Sequence, residues 1–112
     1  MSEFEAALAW CPFPNAESAK EVASTLLEEK LIACANIMPG VTSVFEWEGQ
    51  CATQAEVAVL FKTSEQRLER LIARLGECHP YDTPAIVGWL CNASHPATKH
   101  WLEKVLREKT LG

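Results

Sequence analysis

The alternation of apolar and polar positions divides the chain into a succession of short segments. Phe4 to Cys11 is almost continuously apolar and is followed by Pro12 and Pro14, so it reads as a strand buried on both faces. Asn15 is placed to cap a helix in which Ala19, Val22, Ala23, Leu26 and Leu27 recur at spacings of three and four. Glu17, Lys20, Glu21, Glu28 and Glu29 take the opposite side of that helix. Ala35 to Trp47 is rich in β-branched and aromatic residues, and Pro39-Gly40 interrupts it without ending it, as in a strand with a bulge or sharp bend. Beyond the bend Val41, Ser43, Phe45 and Trp47 point one way and Thr42, Val44, Glu46 and Glu48 the other. Gly49-Gln50 reads as a turn, and Glu56 to Thr63 as a strand apolar on both faces that completes a hairpin.

Ser64 then stands at an N-cap position, and Leu68, Leu71, Ile72 and Leu75 repeat at helical spacing beneath Glu65, Arg67, Glu69, Arg70 and Arg74. Gly76 weakens that helix and Pro80 stops it. A strand over Ala85 to Cys91 leads to a last helix after Pro96, with Trp101, Leu102, Val105 and Leu106 as its apolar stripe. The order βαββαβ plus a C-terminal helix predicts a single α+β domain over residues 1–112 of the ferredoxin-like, split β-α-β kind. Right-handed crossovers place both main helices on one face of its antiparallel sheet. The other face would be bare, yet Ala58, Leu60 and Trp10 make it apolar. Further copies of the same chain are the economical cover, and assembly as a trimer is expected.

Composition adds limits. At 112 residues, with 48% hydrophobic and 22% charged residues, the chain can bury a core without staples. A net charge of -5 argues against a nucleic-acid partner, which requires a basic stripe. No segment has the length or apolarity of a membrane span or a leader, so no membrane partner and a cytoplasmic location are expected. Cys11, Cys34, Cys51, Cys78 and Cys91 form an odd set without a Cys-x-x-Cys pair, which points to reduced thiols.

Cys78-His79 falls where the second helix ends, and Cys11 where the first strand ends, two places that a ferredoxin-like sheet brings near each other. One reading is a buried thiol beside an imidazole favoured by the helix dipole. The other is a set of soft or borderline ligands that select copper(I) or zinc over magnesium or calcium. His95 and His100 read as surface residues, Cys34 as packing, and Trp10, Trp47, Trp89 and Trp101 as core or interface aromatics.

Ala33-Cys34 through Pro39-Gly40-Val41, then Ser43-x-Phe45-x-Trp47-x-Gly49, Glu56 before Lys62-Thr63, and His79-Pro80-Tyr81 before Pro84, together resemble the divalent-cation-tolerance (CutA) family in order and spacing. The resemblance implies a ferredoxin-like homotrimer, cytoplasmic in bacteria, associated with tolerance to copper and other divalent cations. It also implies metal ligands at Cys11 and His79, with Cys78 where the family has a first histidine. Phe45 replaces a usual tyrosine and Ala85 a usual glutamate, and the lost carboxylate lowers affinity for hard divalent ions more than for copper(I). Glu56, Lys62, His79 and Tyr81 are the polar residues that this signature gathers near a subunit boundary.

The chain carries no glycine-rich phosphate loop, nucleophile elbow or zinc-hydrolase helix motif, and a non-enzymatic role is expected. The leading reading is therefore a cytoplasmic homotrimer that binds a copper ion, or zinc or another divalent cation, through Cys11, Cys78 and His79 and acts in metal-ion tolerance. The alternative is a trimeric regulatory or scaffold module that binds a small ligand or protein partner in clefts between subunits.

Overall fold

The hydrophobic periodicity resolves into β1 (Ala6–Phe13), α1 (Ala16–Glu28), β2 (Cys34–Trp47), β3 (Gln50–Ser64), α2 (Glu65–Cys78), β4 (Val87–Leu90) and α3 (Pro96–Lys109). The structure is a computed structural model that describes residues 4–109. The strands form one antiparallel sheet in the order β2-β3-β1-β4. Ala9, Cys11 and Phe13 of β1 and Val57, Val59 and Phe61 of β3 share a buried core with Ala19, Val22 and Leu26 of α1 and Leu71 and Leu75 of α2. Both main helices therefore cover the same face, as expected. The side chain of Asn15 caps α1 by accepting from the Ser18 N–H at 2.7 Å.

The opposite face is only partly covered. At one end α3 lays Leu102 and Leu106 against Ala6 and Ala33. Trp101, one position off that spacing, stays exposed rather than joining the stripe. Elsewhere Leu8, Trp10 and Leu60 remain half-buried, and Val87 and Trp89 are exposed.

β1 runs past its expected end at Cys11, with Pro12 in the ladder opposite Ala58. A residue's N and carbonyl point to the same side of an extended strand. β4 pairs with β1 only between Ala7 and Trp10, so at Pro12 that side has no neighbouring strand. The Pro12 carbonyl instead accepts from His79, and the absent proline N–H deprives no ladder partner.

The hairpin is longer than its apolar part. Val41–Trp47 pairs with Gln50–Glu56, whereas β1 reaches only Val57–Ser64 of β3, so the distal half is a two-stranded ribbon. Residues 50–55 lack an apolar face because the chain itself covers neither side there. Val44 and Trp47 are 67% and 63% exposed on this ribbon. The turn is Glu48-Gly49, with φ of 53° and 79°, one residue earlier than expected. Cys51 consequently lies in the strand, opposite Glu46.

α2 also departs from its expected faces. Arg67 precedes Leu71 and Leu75 by one and two turns and is buried with them rather than solvated. Its guanidinium donates from Nε to the Lys30 carbonyl at 3.1 Å, from Nη1 to Ser64 Oγ at 3.2 Å and from Nη2 to the Leu106 carbonyl at 2.9 Å. Burial, with nearby Arg70, lowers its pKa. Ser64 Oγ receives Arg67 and makes no side-chain cap. β4 is confined to Val87–Leu90, shorter than the apolar run suggests.

The register of β2 against β3 shifts between Met38 and Val41, at the Pro39-Gly40 bend. Gly40 has φ +84°, and a Cβ there would meet nothing within 4 Å, so a substitution is opposed by backbone strain and not by a clash. Gly40→Val is expected to cost about 1–2 kcal/mol, lowering the melting temperature by roughly 5 °C per kcal/mol. Circular dichroism melts check this, and an unchanged midpoint contradicts it.

Candidate functional site

Topology brings the three expected metal ligands to one end of the sheet. Cys11 stands in the core-facing row of β1 between Ala9 and Phe13, and Cys78, the last residue of α2, packs against the same buried cluster. Burial pushes the Cys11 thiol up to about 12, with Glu56 and Cys78 adding to the effect. The Cys78 thiol is also pushed up by burial, against an opposing pull from Arg74. Cys11 Sγ lies 3.6 Å from the Pro12 carbonyl oxygen, and Cys78 Sγ donates to the Arg74 carbonyl one helical turn back at 3.2 Å. Both thiols are thus neutral at neutral pH and bonded to backbone carbonyls.

His79 differs in kind. Its Nε2–H donates to the Pro12 carbonyl at 2.8 Å, and its Nδ1 accepts from the Tyr81 N–H at 3.0 Å. A carbonyl can only accept and an amide N–H can only donate, so these partners dictate a neutral ring protonated on Nε2. Phe13 stacks on the ring with centroids 4.3 Å apart. Burial pushes the imidazole pKa down, against the Pro12 bond and Glu56, which favour the charged form. One nitrogen carries the proton and the other has its lone pair engaged. Among the described residues no three His, Cys, Asp or Glu side chains are grouped so as to hold a metal ion. The donor set divides into two thiols, whose chemistry fits a soft ion that displaces their protons, and an imidazole already committed.

A polar network adjoins this cluster. Tyr81 donates its hydroxyl to Glu56 Oε2 at 2.7 Å and accepts from Gln54 Nε2 at 2.8 Å, while Ser43 Oγ donates to Glu56 Oε1 at 2.6 Å. Ser43 opposes Gln54 and Val41 opposes Glu56, so the register set by the bulge and the tight turn puts these groups on one face of the ribbon. Pro80 and Pro84 restrict the connection that carries Tyr81. Glu56, His79 and Tyr81 come together as the sequence suggests. Lys62 does not join them: it pairs with Leu8 and Cys34, six positions along β3 from Glu56, or roughly 20 Å of strand. The functional reading of the sequence missed Gln54 and the part played by Ser43. Counting outward from the two-residue turn would have paired them.

Tyr81 is the only tyrosine in the chain, so tyrosinate absorbance reports it alone. Burial, then the hydrogen bond to Glu56, raises its pKa to about 12. The folded pKa lies above the unfolded value, so its contribution to stability is intact below about pH 10 and lost as the pH rises through about 12. A spectrophotometric titration of the native protein is expected to show that late ionisation, and Glu56→Gln is expected to bring it back toward 10. Coincident curves for the two proteins would exclude the Glu56 contribution.

Comparison with known proteins gives a consistent picture. Residues 7–105 match the family described as CutA1 divalent ion tolerance protein. The chain is 36% identical over 105 residues to the divalent-cation tolerance protein CutA of Salmonella newport, covering 92% of this chain and 90% of that protein. It is 37% identical over 95 residues to the chloroplastic protein CutA 1 of Oryza sativa, covering 85% of this chain and 54% of the rice protein, so it spans about half of that relative's length. The crystal structure of CutA1 from Ehrlichia chaffeensis superposes with a TM-score of 0.88 at 32% identity, covering 94% of this chain and 98% of that one. CutA1 from Pyrococcus horikoshii superposes with a TM-score of 0.84 at 37% identity, covering 88% and 96%. The fold, the bulged hairpin and the His79–Tyr81 turn thus belong to a relationship that spans most of the chain, and this protein is a member of the CutA1 divalent ion tolerance family.

Proposed function

We propose that the protein acts in metal-ion tolerance by binding copper(I) between the thiols of Cys11 and Cys78, as a cytoplasmic homotrimer with a binding rather than a catalytic role. The observation that carries this reading is that the two thiols share one buried cluster and are bonded to backbone carbonyls alone. Thiolates are soft donors that favour copper(I). Hard divalent ions need oxygen ligands, and the nearby Glu56 already accepts a hydrogen bond at each carboxylate oxygen.

Trimer formation is supported by apolar surface that one chain leaves open. β2 and β4 are the sheet edges. Val87 and Trp89 are exposed near one edge, and a groove of about 400 Å³ lined by Leu27, Ile32, Cys34 and Ile37 follows the other. Further copies that join edge to edge and close into a ring would cover both. A cytoplasmic location is supported by five free cysteines, a pattern suited to a reducing compartment. The family alone does not set the compartment, since relatives include chloroplastic proteins and a periplasmic one from Archaeoglobus fulgidus.

Light scattering is expected to give three times the chain mass, and a monomer at micromolar concentration overturns the assembly. Competition against a copper(I) chelator is expected to show one site per chain, with Cys11→Ser and Cys78→Ser each lowering affinity about tenfold or more. Cys51→Ser, on the exposed ribbon, is expected to leave affinity unchanged. Because both thiol pKa values are raised, uptake releases two protons across the neutral range. Affinity is then expected to rise with pH on the order of a hundredfold per unit. Equal affinities for wild type and both cysteine variants would remove the copper site. The Tyr81–Glu56–Gln54 cluster at the root of the ribbon would then favour a small ligand or partner held between subunits.

A further inference from the structure

We infer that His79 is a positioning residue withheld from the metal, a clasp that ties the backbone behind one thiol to the backbone behind the other. The inference rests on the copper reading above and assigns the imidazole a different task from the ligand role that the family resemblance suggests.

The chain order makes the clasp direct. Pro12 follows Cys11, and His79 follows Cys78. The His79 Nε2–H bond to the Pro12 carbonyl, 2.8 Å long, therefore joins the end of β1 to the end of α2 at the two residues next to the thiols. On its other side Nδ1 holds the Tyr81 amide at 3.0 Å, starting the connection whose Tyr81 hydroxyl reaches Glu56. Phe13 stacks on the ring at 4.3 Å, which fixes its plane.

Ligation would break this arrangement whichever nitrogen took part. If Nδ1 gave its lone pair to a metal, the Tyr81 N–H would lose its acceptor. If Nε2 did so, its proton would have to move to Nδ1, where it would face the Tyr81 N–H, and the Pro12 carbonyl would lose its donor. The second route exchanges two hydrogen bonds for one metal bond, and unpaired polar groups in a part-buried site are costly. The thiols need no such exchange, since each gives up only a weak contact to a carbonyl.

Glutamine separates the two roles, because its side-chain amide can donate to Pro12 and its carbonyl can accept from Tyr81, yet it offers no basic nitrogen. The full-length reduced chain is titrated with copper(I) against a chelator as wild type, His79→Gln, His79→Ala and Cys11→Ser. The expected result is His79→Gln within about threefold of wild type, with His79→Ala and Cys11→Ser each weakened about tenfold or more. Nitrogen NMR of the wild-type ring is expected to show the Nε2–H tautomer before and after one equivalent of copper(I). A loss in His79→Gln as large as in His79→Ala, or a ring nitrogen that shifts as a coordinated one on adding copper, overturns the inference. A Cys11→Ser variant that binds as wild type removes the copper reading instead. The clasp is then judged on the metal-free proteins, by whether Tyr81 still ionises near 12 in His79→Gln and earlier in His79→Ala. Identical tyrosine titrations in all three proteins would show that the ring positions nothing.

Discussion

The 2.8 Å hydrogen bond from His79 Nε2 to the Pro12 carbonyl organises one end of the molecule. It lets a proline sit inside a central strand, because the side of β1 that lacks a neighbour there is closed by an imidazole instead of a strand. It chooses the ring's tautomer, and that choice makes Nδ1 an acceptor for the Tyr81 amide. Tyr81 in turn delivers its hydroxyl to Glu56, which also anchors Ser43 just past the bulge. A chain of paired polar groups thus links the sheet end to the ribbon, and each link leaves the next with one satisfied arrangement.

The five cysteines show how far environment separates one residue type into different chemistries. Cys11 is deeply buried and its thiol is held protonated, whereas Cys51 stands exposed on the ribbon. Cys34 lines the groove beside β2, and Cys91 packs at the edge of the α3 cluster. Cys11 and Cys78 share surroundings close enough that charge on Cys78 raises the pKa of Cys11. A buried neutral thiol is a poor nucleophile and a poor ligand until an ion strong enough to displace its proton arrives. Burial therefore holds these thiols protonated and resists casual oxidation.

Features with a local cause were legible in the sequence. The element order, the Asn15 cap and the Pro39-Gly40 bulge each follow from a few neighbouring residues, and the approach of Cys11 to Cys78-His79 follows from ferredoxin-like topology. Where the sequence misled, the deciding partner was a backbone atom far along the chain. Nothing in the residue types near Pro12 shows that its carbonyl meets His79. Arg67 looks like one more surface charge, although its spacing of four from Leu71 and eight from Leu75 placed it on the buried side. The first residues of β3, from Gln50 to Ala55, carry no strand signal because a strand without a covered face has no apolar alternation.

Arg67 draws together Lys30, Ser64 and Leu106, three points separated by most of the chain. One enclosed charge thus ties α3 to the loop after α1 and to the start of α2: with α3 undocked, Nη2 would exchange the Leu106 carbonyl for water while Nε and Nη1 kept Lys30 and Ser64. The C-terminal helix is thus a keystone rather than an appendage. Its docking joins residues far apart in the chain, so loss of the last helix would uncover both the Ala6–Ala33 cluster and one side of the Arg67 guanidinium.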